Sequence, residues 1–319
     1  MNKKKTILIS TGVLGTLSIG ALGIIGNYFY NLALNPKTSK ESIFGSKEEE
    51  NSTSGELINE DLNWFLNHSK YSNVNIKSFD NLNLNGYKIL NNTSNNNWVI
   101  TVHGYTSKGI DMSSYAKRFY DMGYNILIPD LRSHGKSEGT SIGMGWIDRL
   151  DILKWIDFLL KEHKDAKIIL HGVSMGAATV SMVSGENLPS NIKAIIADCG
   201  YTSVIEQFSH KLKDMYKLND FPIMNACSFI AKLRAGYSLK QASSLKQVSK
   251  SKTPILFIHG DKDDFVPYKM MAELYDAANC PKEQLTIKNA GHAKASKIDP
   301  KLYWGTISNF INKYMIDIN

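Results

Sequence analysis

Ala166-Lys-Ile-Ile-Leu-His-Gly172-Val-Ser174-Met-Gly176-Ala-Ala-Thr-Val180 is the stretch whose reading decides the fold. A short aliphatic run ends in Gly-x-Ser-x-Gly, and small, helix-compatible residues follow. That order predicts a strand, a sharp turn carrying Ser174, and a helix. Residues flanking the serine must be nearly free of side chain, because strand and helix approach closely there. The turn holds the hydroxyl clear of the backbone, and the helix that follows points its positive end at any negative charge developing beside it.

Further short apolar runs surround this stretch: Val74–Phe79, Tyr87–Leu90, Trp98–Val102, Asn125–Pro129, Ile168–His171, Ile192–Ala197, Ile255–His259 and Leu285–Ile287. Helix-period segments alternate with the later ones, at Met112–Tyr120, Trp146–Leu160, Ser174–Val183, Lys269–Ala278 and Leu302–Tyr314. A hairpin-like start followed by alternating strand and helix predicts a mostly parallel eight-stranded sheet with helices on both faces. The alternation breaks between Asp198 and Pro254, where amphipathic stretches at Val204–Lys217 and Ile223–Arg234 form an interval too long for a crossover and too patterned for a loop. We expect a small helical cap there, at about 200–250. Its many Lys residues read as a solvated basic face.

A serine hydroxyl is a weak nucleophile that needs a base, and the base needs an orienting carboxylate. Downstream of Ser174 the chain offers both, each after an apolar run: His259-Gly-Asp261-Lys-Asp263-Asp264-Phe-Val-Pro267, then Asn289-Ala-Gly-His292. His292 is the only histidine after the acidic turn, so it is the candidate base. Spacing does not choose among Asp261, Asp263 and Asp264; Asp198, at the end of an earlier run, reads as a turn or cap residue. Two backbone N–H groups are needed to hold an oxyanion. Met175, after the nucleophile, is one candidate donor. Tyr105, in the loop after Trp98–Val102, is the other, with Gly104 letting the backbone turn closely.

The N-terminus is a separate object. Lys3-Lys4-Lys5 precede an uncharged run from Thr6 to Gly26, followed by Tyr28-Phe29-Tyr30. A membrane span takes about 20 apolar residues, whereas a signal-peptide core takes about 7–15. We therefore expect residues 1–35 to be an uncleaved single-pass membrane anchor, with the lysines cytoplasmic and the catalytic domain extracytoplasmic at the cell membrane. A cleaved signal peptide is the alternative. Residues 36–57, rich in Lys, Glu, Ser and Asn, read as a polar linker, and 58–319 as one domain.

Composition excludes several classes. The 319 residues carry 37 basic and 30 acidic side chains, a net charge of +7 too mild and too scattered for a nucleic-acid binder. Gly135-Lys136-Ser137 ends like a phosphate-binding loop, but Asp130 occupies the first glycine position. The histidines show no paired metal spacing, so neither metal nor cofactor is expected. Cys199, Cys227 and Cys280 are too widely spaced for metal or redox motifs, leaving free thiols or one disulfide open.

With these motifs in order, the chain resembles the α/β-hydrolase superfamily, and within it membrane-anchored cell-surface hydrolases of Gram-positive bacteria related to monoacylglycerol-lipase and serine-aminopeptidase-like families. His103-Gly104-Tyr105 matches the oxyanion turn, Asp130-Leu-Arg132-Ser-His-Gly135-Lys-Ser137 the D-x-R-x-x-G-x-S loop, and Gly172–Gly176 the nucleophile elbow. His259-Gly-Asp-Lys-Asp263-Asp-Phe-Val-Pro267 matches the H-G-x-x-D-x-x-V-P turn, and this resemblance selects Asp263 as the acid. Ser133 departs from the glycine common in such loops. The resemblance implies an α/β-hydrolase fold and a serine hydrolase in which Ser174, Asp263 and His292 are catalytic. The expected substrate is a small-molecule or lipid carboxylic ester. A peptidase or thioesterase with the same residues is the near alternative, and a non-catalytic surface binding protein the more distant one.

Overall fold

The computed structural model describes residues 20–40, 53–93 and 95–315. Most of the expected membrane span, residues 1–19, lies outside them. Among the described residues no helix is long and apolar enough to cross a membrane.

The eight strands are β1 (Ser72–Lys77), β2 (Asn83–Ile89), β3 (Asn97–Val102), β4 (Asn125–Pro129), β5 (Lys167–Val173), β6 (Ile192–Asp198), β7 (Ile255–Gly260) and β8 (Lys282–Ile287). They form one sheet in the order β1-β2-β4-β3-β5-β6-β7-β8. β2 runs antiparallel to β1 and β4, and every later pairing is parallel. The sheet is therefore the expected one, with a hairpin at one edge and parallel crossovers through the rest. Strand starts differ from the sequence reading at β2 and β8, because Asn83, Asn85, Lys282 and Glu283 are polar residues at sheet edges or under neighbouring loops.

The helices are α1 (residues 20–34), α2 (Thr53–Asn67), α3 (Ser113–Asp121), α4 (Asp148–Glu162), α5 (Met175–Val183), α6 (Val204–Tyr216), α7 (Ile223–Arg234), α8 (Ser244–Val248), α9 (Lys269–Ala277), α10 (Ala295–Ile298) and α11 (Pro300–Met315). Two apolar layers sandwich the sheet, and strand periodicity deals residues alternately to each. Ile100, Leu170, Ile195 and Phe257 face a layer shared with Trp155 of α4, Val180 of α5 and Leu274 of α9. Val99, Ile169, Ile196 and Leu256 face the layer holding Phe65, Phe119, Tyr303 and Phe310. Each such side chain contributes roughly 1.5–3 kcal/mol by leaving water. The cap occupies the interval after β6, as α6, α7 and α8.

Helix α2 starts inside the stretch read as linker. Only its first turn, residues 53–57, falls within that stretch; further along, inside the expected domain, Phe65 is fully buried, stacked on Tyr71 at 4.9 Å and edge-on to Tyr87 at 5.6 Å.

The loop after β4 explains its own sequence. The Asp130 carboxylate accepts from the backbone N–H of Gly109 at 2.7 Å and of Lys136 at 3.0 Å, and from the Asn85 amide at 2.9 Å. Gly135 packs so closely that a Cβ there would lie 2.2 Å from Asp130 Cγ. Arg132 forks onto Asp151 of α4 at 2.7 and 2.8 Å and onto Asp80 at 3.0 and 3.1 Å, tying the loop to a helix and to the β1–β2 turn. Ser133 sits at φ +64°, the left-handed region that favours glycine, and its hydroxyl donates to the Ser141 carbonyl at 2.9 Å.

At the start of α5, Gly176 has no room for a side chain: a Cβ would lie 2.1 Å from the Val102 carbonyl oxygen. Gly305, inside α11, has nothing within 4 Å of that position. Gly176→Ala is expected to cost on the order of 3 kcal/mol or more, whereas Gly305→Ala should add about 0.5–1 kcal/mol by restricting the unfolded chain. Denaturant melts of the two variants measure this contrast, and equal midpoints would refute it.

Candidate active site

Ser174 sits where β5 ends, at φ +57° and ψ −116°, a strained conformation for a residue with a side chain. Neighbouring backbone fixes it: its N–H donates to the Asp198 carbonyl at 2.8 Å, and its carbonyl accepts from Ala178 at 3.0 Å. Gly172 makes the turn possible, since a Cβ there would lie 2.2 Å from the Gly176 oxygen.

The turns after β7 and β8 bring the other candidates to the same sheet edge. His292 Nε2 lies 2.8 Å from Ser174 Oγ, and its Nδ1 lies 2.7 Å from Asp263 Oδ2. The Asp263 side chain is fully enclosed, while the His292 ring keeps 19% of its surface exposed. The Phe265 ring packs on it at 4.9 Å.

The three acids of the turn separate clearly. Asp263 Oδ1 accepts from the backbone N–H of Phe265 at 3.0 Å and of Val266 at 2.8 Å, which turns the carboxylate inward. Asp261 accepts from Asn289 N–H at 2.6 Å and so splices the β7 turn to the β8 turn. Asp264 is exposed. Asp198 is no turn cap. Its carboxyl is buried, takes a hydrogen bond from Tyr303 at 3.0 Å, and leaves Oδ1 without a partner among the described residues.

Sequence reading missed His259. Its Nε2 lies 3.1 Å from both Asp263 Oδ2 and the Val266 carbonyl, while Nδ1 is buried without a partner among the described residues. Two acceptors around Nε2 require the proton there, so His259 is a second donor to the acid. Burial alone would raise the Asp263 carboxyl. The hydrogen bonds from His259, His292 and Val266 outweigh it and hold the carboxyl well below the usual range. A strand-ending His-Gly carries no sequence signal for this role; the only hint was its place four residues before Asp263.

On the opposite lip, His103 anchors the loop that carries Tyr105. Its Nε2 accepts from Leu131 N–H at 3.0 Å, so Nδ1 carries the proton and donates to the Gly104 carbonyl at 2.8 Å. Burial, with the neighbouring His134, lowers its pKa to about 3, so the ring is neutral. Gly104 lies against the nucleophile: a Cβ there would sit 3.4 Å from Ser174 Cβ. Met175 is the first residue of α5, so its N–H has no carbonyl within the helix to bond. Tyr105, Ser174 and Met175 line one cavity, together with Phe29, Leu32 and Ala33 of α1, Phe208, Leu212 and Met215 of α6, and Met224 of α7. The cavity encloses about 730 Å³ including its open mouth.

One cluster has metal-ligand spacing. Ligand atoms of Cys199, Asp263 and His292 all lie within 4.8 Å of one another. The chemistry does not suit a metal, because burial raises the Cys199 thiol well above its ordinary pKa and His292 Nδ1 is already engaged by Asp263. All three cysteines are free.

Two outcomes follow from this geometry. Asp263→Asn should lower kcat by about 10³–10⁴-fold and Asp264→Asn should not, while His259→Phe, which removes one donor to a charged acceptor, should cost about 10–100-fold. Turnover of each variant on an activated ester is the measurement; an inert Asp264→Asn beside an active Asp263→Asn would reassign the acid. The second concerns stability. Burial, partly offset by Tyr303 and the two histidines, raises the Asp198 pKa from 3.8 to about 6. A carboxyl raised on folding stabilises the fold while protonated, fully below 3.8, and loses that contribution as pH climbs through about 6. Asp198→Asn should therefore be more stable than the parent near pH 8, by on the order of 2 kcal/mol, with the gap closing by about pH 4 in parallel thermal melts.

Comparison with known proteins agrees with the architecture. A family model described as serine aminopeptidase, S33 matches residues 93–221, the span holding the Tyr105 loop and Ser174. The uncharacterized protein YqkD of Bacillus subtilis (strain 168) is 30% identical over 309 residues, covering 97% of each chain. The Pyrococcus furiosus esterase Pf2001 superposes with a TM-score of 0.64 at 26% identity, over 81% of this chain and 96% of that one. An acylaminoacyl peptidase of Pyrococcus horikoshii shares the fold, with a TM-score of 0.57 at 19% identity over 76% of this chain and 41% of its own. Together with the sheet order and the serine at its elbow, these likenesses establish that the chain belongs to the α/β-hydrolase superfamily and is a hydrolase of the esterase and peptidase kind.

Proposed function

We propose that the protein is a serine esterase that cleaves carboxylic esters through an acyl-enzyme and works at the outer face of the cell membrane. The observation that carries this is the unbroken Ser174–His292–Asp263 hydrogen-bond chain beside an apolar cavity. Ser174 Oγ attacks the ester carbonyl while its proton passes to His292 Nε2. Negative charge forms on the carbonyl oxygen, where the N–H groups of Tyr105 and Met175 stabilise it. The bond to the leaving oxygen breaks as His292 returns the proton to it. Water then attacks the acyl-serine, again giving its proton to His292, and the acid departs with Ser174 restored. Asp263 stays ionised and holds the imidazole in the tautomer that presents Nε2 to the serine.

Ester specificity is supported by the cavity lining, which is apolar apart from Ser174, Gln207, Lys211, Cys227 and the tyrosines. The family model's description favours an aminopeptidase, but a free amino terminus is a cation and needs an acidic partner. Among the described residues that line the cavity, none is acidic. A thioesterase remains the second reading, since the same acyl pocket and serine serve it.

The membrane location rests on the uncharged run from Thr6 to Gly26 behind three lysines. It is supported by Ile24, Ile25 and Tyr28, exposed on α1, and by Phe221, Phe229 and Leu233, exposed on or beside α7. A membrane-impermeant fluorophosphonate applied to intact cells tests both parts. Labelling of the wild type and not of Ser174→Ala is expected. Labelling only after lysis would overturn the location, and no labelling at all would overturn the enzyme.

A further inference from the structure

We infer that α1, the helix continuing the apolar N-terminal run, is a fixed wall of the acyl cavity and sets the length of acyl chain the enzyme accepts. This rests on the acyl-transfer reading above and deepens it.

An N-terminal helix docked only by apolar contact would be free to slide or leave. α1 is held at its end by hydrogen bonds that its own backbone leaves unmade. The last four carbonyls of a helix have no partner within it. Here Asn31 O accepts from Asn35 N–H at 3.3 Å, and Leu32 O from Lys40 Nζ at 2.6 Å. Ala33 O accepts from the Tyr105 hydroxyl at 2.6 Å, and Leu34 O from Ile142 N–H at 2.8 Å. Two of these four donors belong to the domain's loops, and one of them is on the loop that carries the oxyanion N–H. Burial raises the Tyr105 phenol, so it remains a donor at any working pH.

Side chains lock the same register. Tyr30 and Leu34 are at most 1% exposed, and the Tyr30 hydroxyl meets Ser141 Oγ at 2.6 Å. Arg234 of α7 lies over the Tyr30 ring at 4.5 Å and donates to Asn27 Oδ1 at 2.8 Å. Gly26 lets α7 approach closely, since a Cβ there would fall 2.8 Å from the Ala226 backbone.

With the helix pinned this way, Phe29, Leu32 and Ala33 line the cavity that also contains Ser174. Ala33 sits at the Tyr105 end. Phe29 lies one turn earlier in the helix and meets Tyr216 of α6 edge-on at 5.5 Å. The wall that α1 supplies is therefore small at Ala33 and large at Phe29, and the volume of these two side chains sets how much of the cavity an acyl chain can fill. Enlarging Ala33 should shorten the accepted chain, and trimming Phe29 should lengthen it.

The test uses the full chain in detergent and the rate of Ser174 labelling by alkyl fluorophosphonates from ethyl to dodecyl, so that no ester turnover is needed. Ala33→Leu should slow the longer alkyl probes about tenfold or more while leaving the ethyl probe within about threefold, because a misfitted methylene in an apolar pocket costs that much. Phe29→Ala should shift the fastest probe to a longer chain, and Phe29→Leu should do so more weakly, serving if the alanine variant melts early. An unchanged length profile in folded variants overturns the inference, as does an equal loss at every length, which would make α1 a merely structural strut. Failure of the underlying reading looks different: the wild type would not label with any probe.

Discussion

The site depends on one steric constraint, the absence of side chains at Gly172 and Gly176. A Cβ at Gly172 would forbid the approach of β5 to α5 and one at Gly176 the approach of α5 to β3, because the clashes would be with backbone oxygens at 2.2 and 2.1 Å rather than with side chains that could move. The contact at Gly176 is made to Val102, the last residue of β3, and to His103 beyond it. One missing methyl therefore sets both the angle of the nucleophile and its distance from the loop bearing Tyr105. Fixing Ser174 at positive φ costs on the order of 1–3 kcal/mol, and the packed sheet around it offsets that strain.

Around this constraint the site keeps its charges apart by burial and tautomer. His103 is neutral and acts through two oriented hydrogen bonds to backbone. Asp263 is ionised because four donors converge on it, two from backbone and two from histidines. Asp198, equally buried but served by a single hydroxyl, is pushed the other way, to about 6. Two carboxylates at one sheet edge thus differ in proton affinity through the number of donors each receives, and the one with backbone N–H groups in its own turn is the one that meets His292.

Much of the fold was legible because it is written in local periods. Short continuous apolar runs alternating with helix-period segments pointed to the parallel strands, and the interrupted alternation after Asp198 pointed to the cap. That the turns bearing Ser174, Tyr105 and His292 meet at one sheet edge was legible because their order along the chain follows the order of strands. The acid was not legible from spacing, since Asp261, Asp263 and Asp264 differ only in which backbone N–H groups face them, a property of turn geometry. His259 was opaque for the same reason: its role depends on a contact from the end of β7 into the turn that follows. The start of α2 at Thr53 was obscured by composition, because the polar run before Ile58 carries no apolar period that would mark a helix.

α1 shows a different limit of sequence reading. A helix that is apolar around its circumference reads as a membrane segment, but the same composition suits a helix buried against a protein pocket, and periodicity does not separate the two. What separates them is the end of the helix. In a bilayer or in a free tether the last carbonyls are left to water or headgroups; in α1 they are taken by Lys40, Tyr105 and Ile142. The start of α1 differs from this pinned end, since Ile24 and Ile25 are exposed there. One helix thus carries, at its pinned end, a wall of the cavity that holds Ser174 and, near its start, the exposed apolar side chains of Ile24 and Ile25.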